Sequence, residues 1–219
     1  MRKNLIIIAA AALFAPLSAS AATNLVTNGS FENGLAGWTL SGAVTDSYPA
    51  VVITYGSTAA YPTSAFGEAV AAENAAAGTH GAYFVSDFSN QSLTQQVYLG
   101  VGTYQIGFSA YAPANGYGNA HDATFSGSIA GDVLANYSVS QKPGTTWLDF
   151  SGQKTVTAAG MYNIAFSFNT SGYPAKDVVI DSVYVMTAAP VPEPETYALM
   201  LSGLGLIGFV ARRRRADQA

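Results

Sequence analysis

Through the middle of the chain, apolar and polar side chains alternate with a period of two. Tyr104-Gln105-Ile106-Gly107-Phe108-Ser109-Ala110 puts its large apolar groups on one side, and the run from Tyr162 to Asn169 does the same. Such alternation, rich in aromatic and β-branched residues, marks half-buried strands. The same reading predicts strands over Asn24–Phe31, Trp38–Val44, Val51–Tyr55, Ala82–Ser86, Leu93–Leu99, Thr124–Ile129, Val133–Val139 and Leu148–Val156. A last strand, Val178–Met186, is apolar on both faces and suits a central, covered position. Gly, Pro, Asn and Asp punctuate these segments. Only Glu68–Ala77 leans towards helix, and it reads equally well as an Ala-rich loop. Many short strands without interleaved helices predict a two-sheet sandwich rather than βαβ units.

Two stretches share a pattern. Leu93 to Phe108 and Gly152 to Phe166 each run as a strand, a glycine turn and a strand reading Gly-x-Tyr-x-Ile-x-Phe. Tyr104, Ile106 and Phe108 share one face, as do Tyr162, Ile164 and Phe166, and these faces are predicted to meet in the core.

The ends follow other rules. Arg2 and Lys3 precede an apolar run from Leu5 to Leu17, and Ala19-Ser20-Ala21 follows. This is the layout of a secretory signal peptide, residues 1–21, removed by signal peptidase on export. At the other end, Pro190, Pro192 and Pro194 make an extended spacer. The uncharged run Tyr197 to Ala211 comes next, closed by Arg212, Arg213, Arg214 and Arg215. As a helix the run spans about 22 Å, short of a bilayer core of about 30 Å. Snorkelling arginines and local thinning of the bilayer narrow that gap. The arginines belong on the cytoplasmic side.

Pro192-Glu193-Pro194, the apolar run and the arginine cluster resemble the PEP-CTERM protein-sorting signal of Gram-negative bacteria. That resemblance implies an exosortase, a membrane-embedded transpeptidase, as the enzyme that processes the tail. It also implies a transient stay in the inner membrane before release to the cell surface, outer envelope or extracellular matrix. The chain divides accordingly into a leader (1–21), a β-sandwich domain (22–188) and a sorting segment (189–219).

Removing leader and tail changes the electrostatics. Residues 22–194 keep three lysines, Lys142, Lys154 and Lys176, against eleven acidic residues, a net charge of −8 with no arginine. Nucleic acid is excluded as a partner, since phosphate neutralisation needs Lys and Arg, and anionic lipid headgroups fit no better. Neutral polysaccharide, divalent cations or plain solubility suit such a surface. With no cysteine, disulfides and thiolate metal sites are excluded.

Asn24-Leu-Val-Thr-Asn-Gly-Ser-Phe-Glu32 with Gly37-Trp38-Thr39, and the closing Val179-Ile-Asp181-Ser-Val183, resemble galactose-binding-like jelly rolls, a superfamily that includes carbohydrate-binding modules. The resemblance implies an antiparallel two-sheet jelly roll. It also implies a structural calcium held by Glu32, Asp181 and backbone carbonyls. The alternative for both carboxylates is a turn cap or a hydrogen-bond acceptor. Trp38 reads as core. Tyr111, Asn115, Tyr117 and Trp147 lie in or beside Gly/Pro-rich segments and are the glycan-stacking candidates, with strand and core packing as the bland alternative. His80 and His121 have no metal-ligand spacing around them. No nucleophile elbow, phosphate loop or His-Glu-x-x-His occurs. The sequence therefore reads as an exported, non-catalytic protein that binds or organises exopolysaccharide or biofilm matrix. The alternative is a polysaccharide-active enzyme on the same scaffold, which requires two carboxylates about 5–10 Å apart across a cleft.

Overall fold

A computed structural model describes residues 23–74, 77–188, 200–205 and 207. Ten strands build two five-stranded antiparallel sheets among these residues. The first sheet has the order β1-β4-β9-β6-β7, from β1 (Thr39–Val44), β4 (Phe88–Leu99), β9 (Gly160–Ser171), β6 (Ala123–Ile129) and β7 (Asp132–Ser138). The second has the order β2-β3-β10-β5-β8, from β2 (Val51–Thr54), β3 (His80–Phe84), β10 (Val178–Thr187), β5 (Gly102–Tyr111) and β8 (Leu148–Val156). This is the jelly-roll sandwich, and β10 takes the central place its two apolar faces predict.

The two stretches of shared pattern do not fold as hairpins. β4 and β5 lie in opposite sheets, as do β8 and β9, so each glycine turn is a crossing from one sheet to the other. Pairing runs between the stretches, β4 with β9 and β5 with β8. Their aromatic faces meet between the sheets, where the Phe108 and Phe166 rings stand edge to face at 4.9 Å. Phe166 also faces Phe125 at 6.2 Å and Trp38 at 5.9 Å. Gly127 makes room for this cluster, since a Cβ there would stand 2.4 Å from the Phe108 ring.

Two expectations need correction. Asn24–Phe31 is not a strand: Asn24 forms a single bridge to Met186 and the chain then turns. Asn28 and Phe31 adopt positive φ, and the Asn28 side chain ties the turn together through Gly34 O, Ala36 O and Asn33 N. Over the described part of Glu68–Ala77 there is no helix. Glu68 instead accepts from the backbone N–H groups of Ala114 and Asn115.

β4 starts earlier than its apolar residues announce. Its inward positions 91 and 95 are glutamines, both buried. Gln91 accepts from Ala50 N, while Gln95 accepts from Thr27 N and donates to Thr27 O. Each amide thus satisfies the backbone of a passing loop, which lets a polar side chain stand in the interior. A smaller core forms where the excursion between β2 and β3 folds over the outer face of the second sheet, burying Ile53, Ala65, Val70, Tyr83, Val85, Tyr111 and Val179.

The signal peptide lies outside the described residues, as do Pro192, Glu193, Pro194 and Arg212 to Arg215. Residues 200–205 are helical. Among the described residues, no helix is long and apolar enough to cross a membrane.

Candidate functional site

The second sheet is largely covered on its outer side, whereas the first sheet is open. Strand alternation fixes what it presents. The pairing registers line up three rows across all five strands: Thr39-Thr94-Ala165-Ser128-Val133, Ser41-Ser92-Ser167-Ser126-Asn136 and Ala43-Asn90-Asn169-Thr124-Ser138. Gln96 opposes Asn163 and donates to its Oδ1 at 3.0 Å. The five strands carry one charged residue, Asp132, at the start of the edge strand β7 and paired with Lys154 at 2.6 Å. Phe88, 47% exposed, and Tyr98, 63% exposed, stand at opposite ends of β4, with Met161 beside Tyr98. At about 3.3 Å per residue these rings are about 33 Å apart, and five strands span about 19 Å. The result is an open strip of hydroxyl and carboxamide groups with an exposed ring at each end.

Such a strip can exchange hydrogen bonds with groups that both donate and accept. It has no charge with which to attract a counter-ion. Ser41, Thr94 and Ser128 reach backbone carbonyls of the neighbouring strand at 3.4, 3.4 and 3.5 Å, which holds their hydroxyls close to the sheet.

The sequence-derived site residues lie elsewhere. Glu32 takes four contacts: Thr79 N and His80 N donate to Oε1 at 2.7 and 2.8 Å, while Thr79 Oγ1 and His80 Nδ1 stand 3.1 and 3.0 Å from Oε2. Slight burial pushes its carboxyl up, but the bonds from His80 and Thr79 outweigh this and hold it below its ordinary value. Asp181 is buried, accepting from Tyr55 Oη at 2.7 Å and from Ser182 N at 2.6 Å. A carboxylate offers about four lone-pair directions, so Glu32 is saturated by donors. Among the described residues, no group of three or more His, Asp or Glu side chains could hold a metal ion. In this structure both carboxylates serve as hydrogen-bond acceptors, the alternative to a calcium shell. EDTA is expected to leave the melting temperature unchanged. A fall of several degrees, reversed by added calcium, would return a calcium ion to Glu32 and Asp181.

The glycan-stacking candidates are not brought to one surface. Tyr111 is buried, and its ring meets that of Trp147 at 5.2 Å inside the smaller core. Trp147 Nε1 donates to Ala71 O at 2.9 Å and so fastens the excursion. Tyr117 packs on the main core, with Lys176 Nζ 4.8 Å above its ring. Asn115 donates to Ala65 O and lines a cavity at the end of the sandwich. Trp38 is core, as expected, between Phe31 and Phe166, with its Nε1 donating to Asn28 O.

Residues 190–215 match the PEP-CTERM protein-sorting motif, which marks an exported protein. Among solved structures, TmCBM61 in complex with β-1,4-galactotriose is 21% identical, with 76% of this chain and 99% of that chain covered and a TM-score of 0.50. The enzymatically active domain of tailspike protein 4 from bacteriophage CBA120 is 18% identical over 75% of this chain and 21% of its own, with a TM-score of 0.46. A family 16 carbohydrate binding module-2 is 19% identical over 74% of this chain and 99% of its own, with a TM-score of 0.42. At these identities the likeness to TmCBM61 is one of fold. No curated protein matches the sequence.

Proposed function

We propose that this exported protein binds neutral polysaccharide along the open face of its first sheet, without catalysis, and organises exopolysaccharide in the matrix outside a Gram-negative cell after an exosortase has processed its tail. One observation carries the reading: five paired strands, within residues 22–194 of net charge −8, share a single charged residue and present rows of hydroxyl and amide groups. Sugar hydroxyls donate and accept, so they match such rows directly or through water. The apolar faces of sugar rings suit Phe88 and Tyr98. A polyanion would be repelled by the domain as a whole. A protein partner would call for an apolar, aromatic patch at the centre, where this face has serine and asparagine.

Affinity electrophoresis of the purified chain tests this. Soluble neutral polymers, with β-1,4-galactan and xylan as probes, are expected to retard it, and alginate is expected not to. Ser167 sits mid-row on the central strand of the face, so Ser167→Glu should weaken retardation by about tenfold or more while the fold is kept, as is usual for a surface change. Equal retardation of variant and parent, or retardation by alginate alone, would overturn the assignment.

A further inference from the structure

Both glycine turns that cross between the sheets, after β4 and after β8, lie at one end of the sandwich. Three large apolar side chains are exposed there: Val101 in the first turn at 71%, Tyr98 just ahead of it at 63%, and Met161, the register partner of Tyr98, at 57%. Strand β10 finishes at the same end, since Thr187 pairs with Tyr104 and Ala188 N donates to Thr103 O. The chain therefore leaves the sandwich beside these side chains on its way to the sorting motif at residues 190–215. Single apolar residues are ordinary on a surface, but these three are grouped at the point of exit.

The charges divide by end. The strands and turns of the exit end carry Asp132 and Lys154, which pair at 2.6 Å. At the other end, where β4, β6 and β10 begin, Asp46, Glu68, Asp87 and Asp122 stand against Lys142 and Lys176. One end is thus apolar and neutral, and the other is net acidic. The tail also limits how far the exit end can stand from a bilayer. Residues 189–196 separate Ala188 from the apolar run, and eight residues reach at most about 26 Å when fully extended. The run spans about 22 Å as a helix against a bilayer core of about 30 Å, so none of it is left over to hold the domain away from the headgroups.

We propose that the exit end of the sandwich rests on the bilayer while the tail is held there, with Val101 and Met161 entering the headgroup layer. The inference rests on the reading of the tail as a sorting signal that dwells in the inner membrane, and extends it to the folded domain. Apolar side chains beside a tyrosine suit that layer, where Tyr is enriched. Anionic lipid repels the acidic end and leaves the neutral end facing the surface. The place of the patch at the chain's exit favours the bilayer over a second copy of the chain, whose docking has no need of the tail. Tyr98 also closes the open strip, so its ring becomes free for a polysaccharide once the tail is cut.

The chain has no cysteine, so Met161→Cys and Tyr173→Cys each give a single site for a fluorophore. Tyr173 is 72% exposed at the acidic end, about 35 Å from Met161 along β9. The exported form, residues 22–219, is reconstituted into vesicles of phosphatidylethanolamine and phosphatidylglycerol that carry a headgroup-level spin label, and the vesicles are floated. Quenching at position 161 is expected to exceed that at 173 by about threefold or more, as for side chains buried about 5–10 Å into the headgroup boundary. Val101→Asp should lower quenching at 161 by about twofold or more, because a charge enters that boundary at a cost. A chain that does not float overturns the membrane reading of the tail and this proposal with it. A chain that floats but is quenched equally at 161 and 173, or whose quenching at 161 survives Val101→Asp unchanged, overturns this proposal alone. A label at 161 shielded from dissolved iodide yet not quenched by the lipid would place a second copy on the patch, and the proposal would fall as well.

Discussion

Replacing Phe166 by alanine is expected to destabilise the sandwich by about 3–5 kcal/mol, the range for deleting a fully buried phenylalanine. The residue is 0% exposed on the central strand of the first sheet, and its ring touches those of Phe108, Phe125 and Trp38. These neighbours come from both sheets and cannot all close inwards, because Phe108 is already wedged over Gly127. In a domain of this size each kcal/mol moves the melting temperature by about 2–4 °C, so the variant should melt at least about 6 °C lower. Thermal unfolding followed by circular dichroism measures it, with the exposed Tyr98→Ala as a control expected within about 0.5 kcal/mol of the parent. A loss for Phe166→Ala as small as the control's would mean that the sheets do not meet at this ring.

Stability is expected to fall as pH rises from about 4 towards 8, opposite to the usual behaviour of paired carboxylates. Burial raises Asp177 to about 8 and Asp181 to about 7, although Tyr83, Tyr55 and Ser182 donate to them. In the unfolded chain both groups ionise near 3.9. Between the two values the folded state keeps protons that the unfolded state has released, so each site lowers stability by about 1.4 kcal/mol per pH unit at most. Glu32 acts oppositely: its lowered carboxyl contributes stability above its unfolded value and loses it as pH falls through the folded one. The stability maximum should therefore lie in mildly acidic solution. Asp177→Asn, which never has to ionise, should flatten the slope and be more stable than the parent at pH 8. Urea midpoints measured from pH 4 to pH 8 decide it, and a rising profile would show that neither aspartate is buried in this way.

The strands were legible because their inward faces are apolar at every second position, and Leu148–Val156 was bounded to the residue. Legibility failed where polar groups stand inside. Gln91 occupies a core-facing position, so the pattern placed the start of β4 at Leu93 instead of Phe88. The opening segment was read as a strand because period two does not register the positive φ values at Asn28 and Phe31. Tyr111 and Trp147 read as glycan-stacking candidates, with core packing as the alternative, because they lie in or beside glycine- and proline-rich segments. Nothing local announces that a distant excursion folds over them. The open strip was readable in principle, since the outward positions of β4 and β9 lack charge, but its rows exist only once the pairing register is known. Asp177 and Asp87 gave no signal, being single acids in loops.

The place of β10 has a kinetic consequence. This strand ends at Thr187, just ahead of the sorting motif that begins at residue 190. It joins β3 on one side to β5 on the other, and the second sheet has no other connection between them. The Asn24 side chain also binds Val183 O and Val185 N, so the first segment to emerge waits for the last. The second sheet cannot close before β10 is in place, so the fold completes only when nearly the whole β-sandwich segment is available.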